Sequence, residues 1–581
     1  MPESRTLPIA AEHREFTIKV EGTAVPRSEQ LVAAYITKAV NKVAAARLIY
    51  LDGAAASSDF PLSNKDTFIP GKKVEILAGP ADNPVSLFHG IVVRQGVKVR
   101  DHTAPQLVVE CRHAAVKLTI GRKNGYFFDK KDSDIMQDLL SKASLAAEVE
   151  DTTVSYKQQV QYYSTDWDFL LTRAEANGKL VLTNSEKVEV KKPNLSGSPV
   201  CTLQFGATVL ELDAEIDARS QYGAVKSFSW DSSQQSVSEK DASDPSVTGP
   251  GNLTTSDLSS ALSAAEYRLQ HVAVTEEESQ AWADSEWLRS QMSRVNGRVK
   301  CEGLGTVNPG DLVTLAGVSD RFNGKVFVTG VRQDFDTVQA WKTHIQFGSV
   351  DTRIADDGNS VSAPRAAALL PAVSGLQIGV VVSNEDPEGE DRVRVRMPLV
   401  SADEDGTWAR VAVLDAGDQR GFFFRPEIDD EVVLGFLNDD PRQAIILGML
   451  HSSAKPAPLT GSDDNDEKVF QSRSKMKLYF DDKNKVMSLE TPAGNKITLS
   501  EQDKTLKLQD QNGNKIEMTS DGIKIESVKA LQLKGGTEMK MESGTAFNAK
   551  GGTELKLEGT SSAEISSAAT TKIKGGMVQL N

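Results

Sequence analysis

The sequence predicts a mainly β protein with some α-helix, whose last hundred residues form a needle of strands from several copies of the chain. Three observations support this fold class. Short segments with alternating apolar residues, separated by Gly, Pro, Asn and Asp, fill much of the first 350 residues. Five more strand-like segments lie between residues 373 and 450, and an eight-residue repeat follows them.

Length and composition indicate several packed domains and exclude some classes of protein. At about 150 residues per domain, 581 residues suggest about four domains, and a hydrophobic fraction of 39% suffices for packed cores. The net charge of −15 gives the chain no electrostatic attraction for nucleic acid or anionic lipid. The three cysteines lie far apart, so neither a disulfide framework nor a cysteine-rich zinc site is expected.

The start of the sequence carries no recognisable export signal. Residues Met1–Arg5 are polar and have no apolar stretch behind them. No segment approaches the ~18 uninterrupted apolar residues of a membrane helix. We therefore expect synthesis and assembly in the cytoplasm without a signal peptide.

The first 350 residues are predicted to combine strands with helices. Residues 231–262 are rich in Ser, Thr, Asp and Gly, and they predict an exposed loop or flexible insertion. Helices are predicted where a capping residue precedes a helical pattern, and strand patterns resume from Gly297 to Val350. The predicted helices are Ser133–Leu140, Thr165–Ala176 and Thr275–Met292, and examples of predicted strands are Phe16–Val20, Lys73–Leu77 and Leu107–Cys111.

The next region predicts a small barrel. Five strand candidates within about 80 residues suit a closed barrel such as an OB-fold. Alternate residues of Phe422–Phe424 are expected to fill its core, and a contact between copies of the chain accounts for the third ring. The Arg392/Arg394/Arg396 row is expected on a solvated or interfacial side of a strand. The five candidates are Val380–Val382, Arg392–Arg396, Trp408–Ala412, Glu431–Gly435 and Ala444–Leu447.

The eight-residue repeat is the most informative feature of the chain. The segment Lys534–Glu542 recurs as Lys550–Glu558, sixteen residues later. Written as octads, two positions spaced by two residues hold mostly apolar side chains, and two adjacent positions hold small ones. The predicted core residues are Leu531, Leu533, Met539, Met541, Phe547, Leu555, Leu557, Ile565 and Ile573, and the predicted corner glycines are Gly535, Gly536, Gly544, Gly551, Gly552, Gly559, Gly575 and Gly576.

Each octad therefore predicts one short strand and one bend. Apolar residues two positions apart share a strand face, and glycine permits a corner that most side chains would block. One copy of the chain cannot bury about two apolar side chains per octad, whereas chains wound around a common axis can. Such a closed prism also leaves no exposed sheet edge. A β-solenoid formed by a single chain and an unstructured polar tail are the alternatives.

The motifs of the barrel and of the region before it resemble a known family. Asp429-Asp430 stands where that family has Gly-Asp, and residues 231–262 match none of its motifs. The matching barrel motifs are Gly379–Pro387, Arg392–Pro398, Trp408–Val411, Phe424–Val432 and Asp439–Pro441, and those of the earlier region are Phe88–Ile91, Gln161–Leu170, Asn308–Asp311, Phe322–Gly324 and Trp341–Gly348. They resemble VgrG-type spike proteins, the central spikes of type VI secretion systems, phage-like extracellular injection particles and contractile phage tails.

The resemblance implies a fold and a division into domains. It implies a hub of two similar β-barrels with helices, then an OB-fold barrel, then an intertwined trimeric β-helix or β-prism needle. The expected boundaries are 1–355 for the hub with its insertion 231–262, 356–372 for a linker, 373–455 for the OB-fold, 456–480 for a second linker and 481–581 for the needle.

The resemblance also implies partners and a role. Three hubs would form a pseudo-sixfold ring that matches a hexameric tail tube protein, and the needle would meet a target membrane only mechanically. The other implied partners are baseplate proteins, a PAAR-type tip protein and delivered effectors, within a secreted or extracellular phage-tail-like particle that contacts the target cell envelope. The residues expected to dock the tip protein are Met577, Val578, Leu580 and Asn581.

The sequence predicts no catalytic, cofactor or metal site. It contains no nucleophile-elbow, zinc-protease or phosphate-loop motif. Cys111 and His113, with His102 near them, have the residue types of a metal site, but ordinary strand residues are the favoured interpretation. The pairs Asp463-Asp464 and Asp481-Asp482 lack the pocket that raises the pKa of one carboxyl for glycoside hydrolysis.

Two other functional classes stay open at this point. One is a phage-type baseplate hub with cell-wall-degrading activity, which would need a folded hydrolase between the barrel and the needle. The other is a trimeric receptor-binding fibre, which usually ends in a bulky head. The chain offers few residues for either addition.

Overall fold

The computed structural model describes residues 15–79, 83–231, 234–271, 274–349, 353 and 364–580. The chain divides into two units, of which the first comprises residues up to 374 with 436–443, and the second comprises 375–435 with the residues from 444 onward. Within the described residues, no helix combines the length and apolar character needed to cross a membrane.

The first unit contains most of the strands and all four α-helices of the described chain. Its strands are β1 Glu15–Val20, β2 Thr23–Ala24, β3 Leu31–Ala39, β4 Ala45–Leu51, β5 Lys73–Gly79, β6 Val85–Arg100, β7 Thr103–Arg112, β8 Lys123–Lys131, β9 Ala147–Val149, β10 Ser155–Ser164, β11 Leu180–Leu182, β12 Val188–Lys191, β13 Cys201–Gln204, β14 Val209–Ile216, β15 Val225–Asp231, β16 Ser236–Asp241, β17 Tyr267–His271, β18 Val295–Glu302, β19 Leu312–Ala316, β20 Gly324–Asp336 and β21 Ala340–Phe347. Its helices are α1 Asp132–Lys142, α2 Asp166–Ala176, α3 Thr255–Ala261 and α4 Glu276–Met292.

A 13-stranded sheet forms the framework of this unit. Its main path runs β14-β18-β21-β20-β3-β4-β7-β6-β5-β1-β2, and β19 joins β20 and carries β13. Two hydrophobic cores lie on it, one lined chiefly by β1 and β3–β7 and the other by β13 and β18–β21. Strand pairing closes no ring among the described residues of this unit, and the two barrels of the hub stay a prediction.

A third core lies between helices and short strands. Helices α1 and α2 bury Ile135, Leu139, Trp167 and Leu170 against β11 and β12. Helix α2 begins as predicted, because the Thr165 hydroxyl accepts a hydrogen bond from the Asp168 amide at 3.0 Å. Helix α1 instead begins at Asp132, so the predicted capping residue Ser133 lies inside the first turn.

The prediction that residues 231–262 form a loop is wrong for two parts of the segment, which form a strand and a helix. Strand β16 pairs antiparallel with β15, and Lys226 on β15 forms an ion pair with Glu239 on β16 at 2.5 Å. Helix α3 begins at a capping box in which Thr254 and Asp257 bond each other's backbone amides. The sequence shows no apolar pattern for these two elements, because ion pairs and helix capping stabilise them rather than an apolar face. Residues 232–233 lie outside the described residues.

The second unit begins with the predicted barrel, and the prediction of its five strands is confirmed. The barrel closes in the order β22-β23-β24-β28-β27 and buries Val381, Val393, Ala409 and Ile446. The expectation for Phe422–Phe424 is wrong, because all three rings follow a small hairpin and are exposed. The strands of this region are β22 Gln377–Ser383, β23 Arg392–Arg396, β24 Thr407–Val411, β25 Ala416–Gly417, β26 Arg420–Gly421, β27 Glu431–Phe436 and β28 Ala444–Met449.

A seven-stranded antiparallel meander follows the barrel. Each strand pairs with the next, in the order β29 to β35. The predicted linker 456–480 is therefore too long, because two strands of the meander fall within or across it. The linker 356–372 is described only from residue 364. The strands are β29 Glu467–Gln471, β30 Lys477–Asp481, β31 Val486–Glu490, β32 Lys496–Ser500, β33 Thr505–Gln509, β34 Lys515–Thr519 and β35 Gly522–Glu526.

Removing the cap of α2 tests how this helix begins. Thr165→Ala deletes the hydroxyl that accepts from the Asp168 amide, and such caps contribute about 1 kcal/mol. Hydrogen exchange of the first-turn amides in the full chain should accelerate about fivefold. Thr172→Ala, later in the same helix, is the matched control and should leave those amides unchanged. Equal exchange in both variants would contradict the capping role.

Candidate subunit interface

The meander β29–β35 carries two continuous rows of apolar side chains on one face. Residues opposite one another in paired strands share a face, and residues two apart along a strand do the same. We call these rows the apolar ladders. The first contains Phe470, Leu478, Leu489, Ile497, Leu508, Ile516 and Ile525, and the second contains Phe480, Met487, Leu499, Leu506, Met518 and Ile523.

The apolar ladders are not covered by the rest of the chain. None of their 13 side chains is buried, and Ile523 is 68% exposed. A contiguous apolar face of this size is unusual on a protein that works as a monomer. The ladders therefore have the character of an interface for another polypeptide.

Beyond the meander, the chain changes from paired strands to unpaired extended segments. Bends recur every eight residues, at 528–529, 536–537, 544–545, 552–553, 560–561, 568–569 and 576–577. No strand pairing is assigned between residues 527 and 580. The bend predicted for each octad is thus present, and the backbone between bends lacks a strand partner within the described chain.

The residue immediately before each bend is Gly or Ser. A Cβ atom at Gly535, Gly551 or Gly559 would come within 2.4 Å of the carbonyl oxygen three residues later. Ser543 occupies the same position and donates its hydroxyl to the carbonyl of Ala546 at 2.6 Å. Ser527 likewise donates to the carbonyl of Ala530 at 2.9 Å, so the corners begin one repeat before Gly535, the first predicted corner glycine.

The second predicted glycine of each corner has a different environment. A Cβ atom at Gly536, Gly544, Gly552 or Gly576 would meet nothing within 4 Å. In a single copy, these positions therefore have room for a side chain. Only the first small residue of each corner is required by contacts within the chain.

The nine predicted core residues of the octads are all exposed in one copy. Their exposed fractions run from 49% for Met539 to 75% for Ile565. The sequence prediction that one copy cannot bury them agrees with this exposure. Of the predicted tip-docking residues, Met577, Val578 and Leu580 are exposed, and Asn581 lies outside the described residues.

The residues considered for metal binding do not form a site. Cys111 lies inside the first hydrophobic core, and burial raises the pKa of its thiol to about 12. His113 is buried and its Nδ1 accepts from the Ala115 amide at 3.1 Å, whereas the side chain of His102 is fully in solvent. Across the described ranges, no three His, Cys, Asp or Glu side chains come together in a metal-binding group.

The arginine row of the barrel forms ion pairs with neighbouring loops. Arg392 contacts Asp386 at 2.8 Å, and Arg394 contacts Asp405 at 3.0 Å. Both guanidinium groups lie 5.6 Å from the ring centre of Trp408. The hydrogen bonds from Arg392 hold the pKa of the Asp386 carboxyl well below its usual range. The charges of Arg392 and Arg394 are thus paired within the barrel.

The barrel also exposes apolar side chains that the sequence prediction assigned to its core. Phe422, Phe423 and Phe424 are exposed together, and Leu414 is 87% exposed nearby in sequence. The rings of Phe422 and Phe424 lie 6.4 Å apart. This patch is a second surface whose chemistry suits another polypeptide.

Comparisons with known proteins identify the family. The family model described as the Alg8 N-terminal domain matches residues 10–337, which is more than half of the chain. The model described as the type VI secretion system/phage-baseplate injector OB domain matches residues 377–451. The chain belongs to the Alg8 N-terminal domain family, and its later part resembles the VgrG-type spike proteins. The OB-domain match covers the closed barrel.

Curated relatives of this VgrG-like chain are spike proteins and a toxin. The type VI secretion system spike protein VgrG3 of Vibrio cholerae is 31% identical over 137 residues, which are 22% of this chain and 13% of that protein. The actin cross-linking toxin VgrG1 of the same species is 31% identical over 137 residues, covering 12% of its length. VgrG1b of Pseudomonas aeruginosa is 24% identical over 446 residues, 70% of this chain and 57% of that one. The chain thus spans from about an eighth to just over half of these relatives.

Solved structures that match this chain include phage tail and secretion proteins. A tail protein from Neisseria meningitidis is 14% identical with a TM-score of 0.43, and the match covers 59% of this chain and 99% of that chain. A type VI secretion system component from E. coli is 12% identical with a TM-score of 0.37, covering 74% and 99%. The Francisella PdpA–VgrG complex gives 8% identity and a TM-score of 0.38, covering 89% and 88%.

Sequence reasoning missed the apolar ladders of the meander. The predicted core list of this VgrG-like chain begins at Leu531, yet the ladders extend back to Phe470. A usable signal exists in the sequence, because each strand alternates apolar and polar residues, as in Lys496–Ser500. The two repeats differ in spacing, so a search for octads alone does not detect the earlier one.

The Asp386–Arg392 pair gives the barrel a pH dependence. The pKa of Asp386 is lowered in the folded chain, so the pair stabilises the barrel above the ordinary carboxyl pKa of about 4. This stabilisation is lost as the pH falls from that value through the lower folded pKa. Asp386→Asn should lower the unfolding temperature of the full chain at pH 7, and the difference from wild type should shrink on acidification.

The control for this prediction is an exposed acid of the same barrel. Asp403→Asn removes a carboxylate from an exposed loop and should leave the unfolding temperature almost unchanged. Differential scanning calorimetry between pH 7 and pH 3 measures all three proteins. A constant difference between Asp386→Asn and wild type over this range would contradict the assigned ion pair.

Proposed function

We propose that this protein is the central structural spike of a contractile injection machine, acting as a homotrimer that joins a sixfold tail tube to a threefold needle. The observation that carries the proposal is the uncovered apolar surface of residues 467–580, which includes the apolar ladders and the octad cores. One copy cannot keep this surface from water. Three copies around one axis bury it in a shared interior.

The proposed needle has two parts. In the first, residues 467–526, each copy contributes its meander, with the ladders turned toward the axis. In the second, residues 527–581, the three chains wind around each other, and each extended segment pairs with segments of the neighbouring copies. This places the start of the needle at residue 467 rather than 481, because the strands begin there.

Stiffness is the property that this construction supplies. Strand pairing between copies satisfies the backbone groups that are unpaired in one chain, and it removes the exposed sheet edges. Outward positions carry Lys, Glu, Thr and Ser, which keep the needle soluble. A prism of this kind transmits an axial thrust, so sheath contraction drives it through a target membrane without a chemical step.

The remaining partners follow from the position of each unit in such a spike. The first unit, whose sheet carries two cores, forms the ring that meets the hexameric tube protein and the baseplate. The barrels form a collar, and the exposed patch Phe422–Phe424 suits the contact between copies. The exposed residues Met577, Val578 and Leu580, with Asn581, form the docking end for a PAAR-type tip protein.

The proposed role does not include catalysis by this chain. The described residues bring the carboxylates Asp463 and Asp464 to an exposed segment rather than into a pocket. One matched relative is named as an actin cross-linking toxin, but only 12% of its length corresponds to this chain. Any delivered activity belongs to effectors or to the tip protein. The assembled particle resembles a phage tail that acts outside the producing cell.

The first test of the proposed function is the size of the assembly. Light scattering of the full chain should give a mass near three times 62.9 kDa. Phe547→Asp with Leu555→Asp places two charges in the proposed shared interior, where unpaired charges are strongly disfavoured, and should abolish the trimer. A monomeric wild type would contradict the proposed function.

The matched control adds the same two charges on the outer side. Asn548 and Thr570 lie at octad positions that alternate with the core positions, so they face outward in the proposed needle. Asn548→Asp with Thr570→Asp should keep the trimeric mass. If both double variants assemble equally, the assignment of the inward positions is wrong.

The second test concerns the earlier start of the needle. Leu499→Asp puts a charge in an apolar ladder, whereas Thr498→Asp puts the same charge on the opposite face of the same strand. We expect Leu499→Asp to lower the urea midpoint of trimer dissociation and Thr498→Asp to leave it nearly unchanged. Sedimentation velocity across a urea series measures both midpoints. Equal midpoints would show that the meander face is not shared between copies.

A further inference from the structure

We propose that the first unit binds a small inorganic anion, of the size of chloride, at the buried guanidinium group of Arg294. The site lies where the segment 231–262 meets the hydrophobic core formed by β13 and β18–β21. That segment matches none of the motifs of the resembled family. The bound anion holds the segment against the core and gives it a role.

Arg294 lies at the junction between helix α4 and strand β18, and it is only 8% exposed. Its backbone is fixed there, because the Asp217 amide donates a hydrogen bond to the Arg294 carbonyl at 3.2 Å. Arginine side chains usually reach water, where their charge is solvated. Here a positive charge is placed inside the first unit instead.

The guanidinium group of Arg294 has neither a hydrogen-bond acceptor nor a carboxylate partner among the described residues. Acids on neighbouring elements are engaged elsewhere, since Asp217 pairs with Arg219 at 2.5 Å and Asp244 accepts from Gln291 at 3.0 Å. Burial lowers the pKa of Arg294, and no carboxylate of the described chain offsets this effect. A guanidinium still keeps its proton, and a buried charge needs a partner of opposite sign.

A cavity of about 30 Å³ adjoins the Arg294 side chain. Its charged lining residues are Arg294 and Lys325, and among the described residues no Asp or Glu lines it. The remaining lining is largely apolar and includes Val326 and Phe327. A cavity needs roughly 10–15 Å³ to hold one water, so this one has room for a small ion but not for a large organic anion.

The segment 231–262 supplies one wall of this cavity through residues 247–250. A Cβ atom at Gly249 would lie 2.0 Å from Nη2 of Arg294, so the backbone of the segment passes close to the guanidinium. Just beyond the cavity, the Gly251 amide donates to the Asn323 carbonyl at 2.8 Å. An anion at Arg294 therefore lies under the segment, and opening of the segment at Gly251 exposes it.

Two features of the chain could serve the guanidinium without a free anion. The negative end of α4 lies beside Arg294 and attracts a cation. In the sequence, Asp351 follows Ser349, whose amide donates to the Met292 carbonyl at 3.2 Å, but Asp351 lies outside the described residues. With either feature, the stability of the segment would not depend on which anion the buffer contains.

Hydrogen exchange of the full chain in two salts tests the site. Chloride replaces gluconate stepwise at constant ionic strength, and gluconate is too large for the cavity. A ligand that binds only the closed segment slows exchange by the factor 1 + [L]/Kd. The peptide that contains the Gly251 amide should therefore exchange about tenfold more slowly when chloride reaches about ten times its Kd.

Two variants show whether the chloride effect belongs to Arg294. Arg294→Met keeps the length of the side chain and leaves no unpaired buried charge, so the variant should fold. Its Gly251 peptide should exchange equally in both salts, and in gluconate no faster than that of wild type. Arg298→Met is the matched control on the same strand, because it removes an exposed arginine that pairs with Asp213, and it should keep the chloride effect.

Three results would overturn the anion site. One is equal exchange of the wild-type Gly251 peptide in chloride and gluconate, whatever the variants do. Another is an equal chloride effect in wild type and Arg294→Met, which would mean that chloride acts elsewhere on the chain. The third is faster exchange in Asp351→Asn, to the same extent in both salts, with no chloride effect in wild type. That result would make Asp351 the partner of the guanidinium.

Discussion

The central constraint on this molecule is that its last part, in a single copy, leaves apolar side chains exposed and backbone groups without strand partners. Between residues 467 and 580 the chain presents two apolar ladders and nine exposed octad core residues, and its octad backbone lacks strand partners. Exposed apolar area and unpaired backbone groups both cost free energy unless another polypeptide covers them. The proposal that this VgrG-like chain forms a trimeric spike rests on that constraint more than on any single residue.

The first unit, in contrast, buries its apolar side chains within a single copy. Its large sheet and the helices α1 and α2 enclose three hydrophobic cores within one copy. Buried side chains such as Phe68, Phe88 and Phe347 have almost no contact with water. The first unit therefore buries its apolar side chains without a second copy.

Much of this architecture could be predicted from local patterns. The five barrel strands follow from alternating Val and Ile, and helix α2 follows from Thr165 and the Asn177-Gly178 end. Three predictions failed because a non-local or polar interaction decided the outcome. The segment around β16 and α3 is held by ion pairs and capping, Phe422–Phe424 lie on a loop, and β29 begins inside the predicted linker. Which copy covers each apolar ladder cannot be read from one sequence, because the pairing partner has the same sequence.

The change of pattern at Ser527 has a consequence for the order of events during assembly. Hairpins such as β33–β34 join residues close in sequence, and they form within microseconds in a newly made chain. In the proposed trimer, the octads gain strand partners only when three chains lie side by side, and closing that arrangement is costly in entropy. We therefore expect the meanders of the copies to associate first, and the octads to pair afterwards, starting next to the meander. The tip of the proposed spike would then be the last part to assemble.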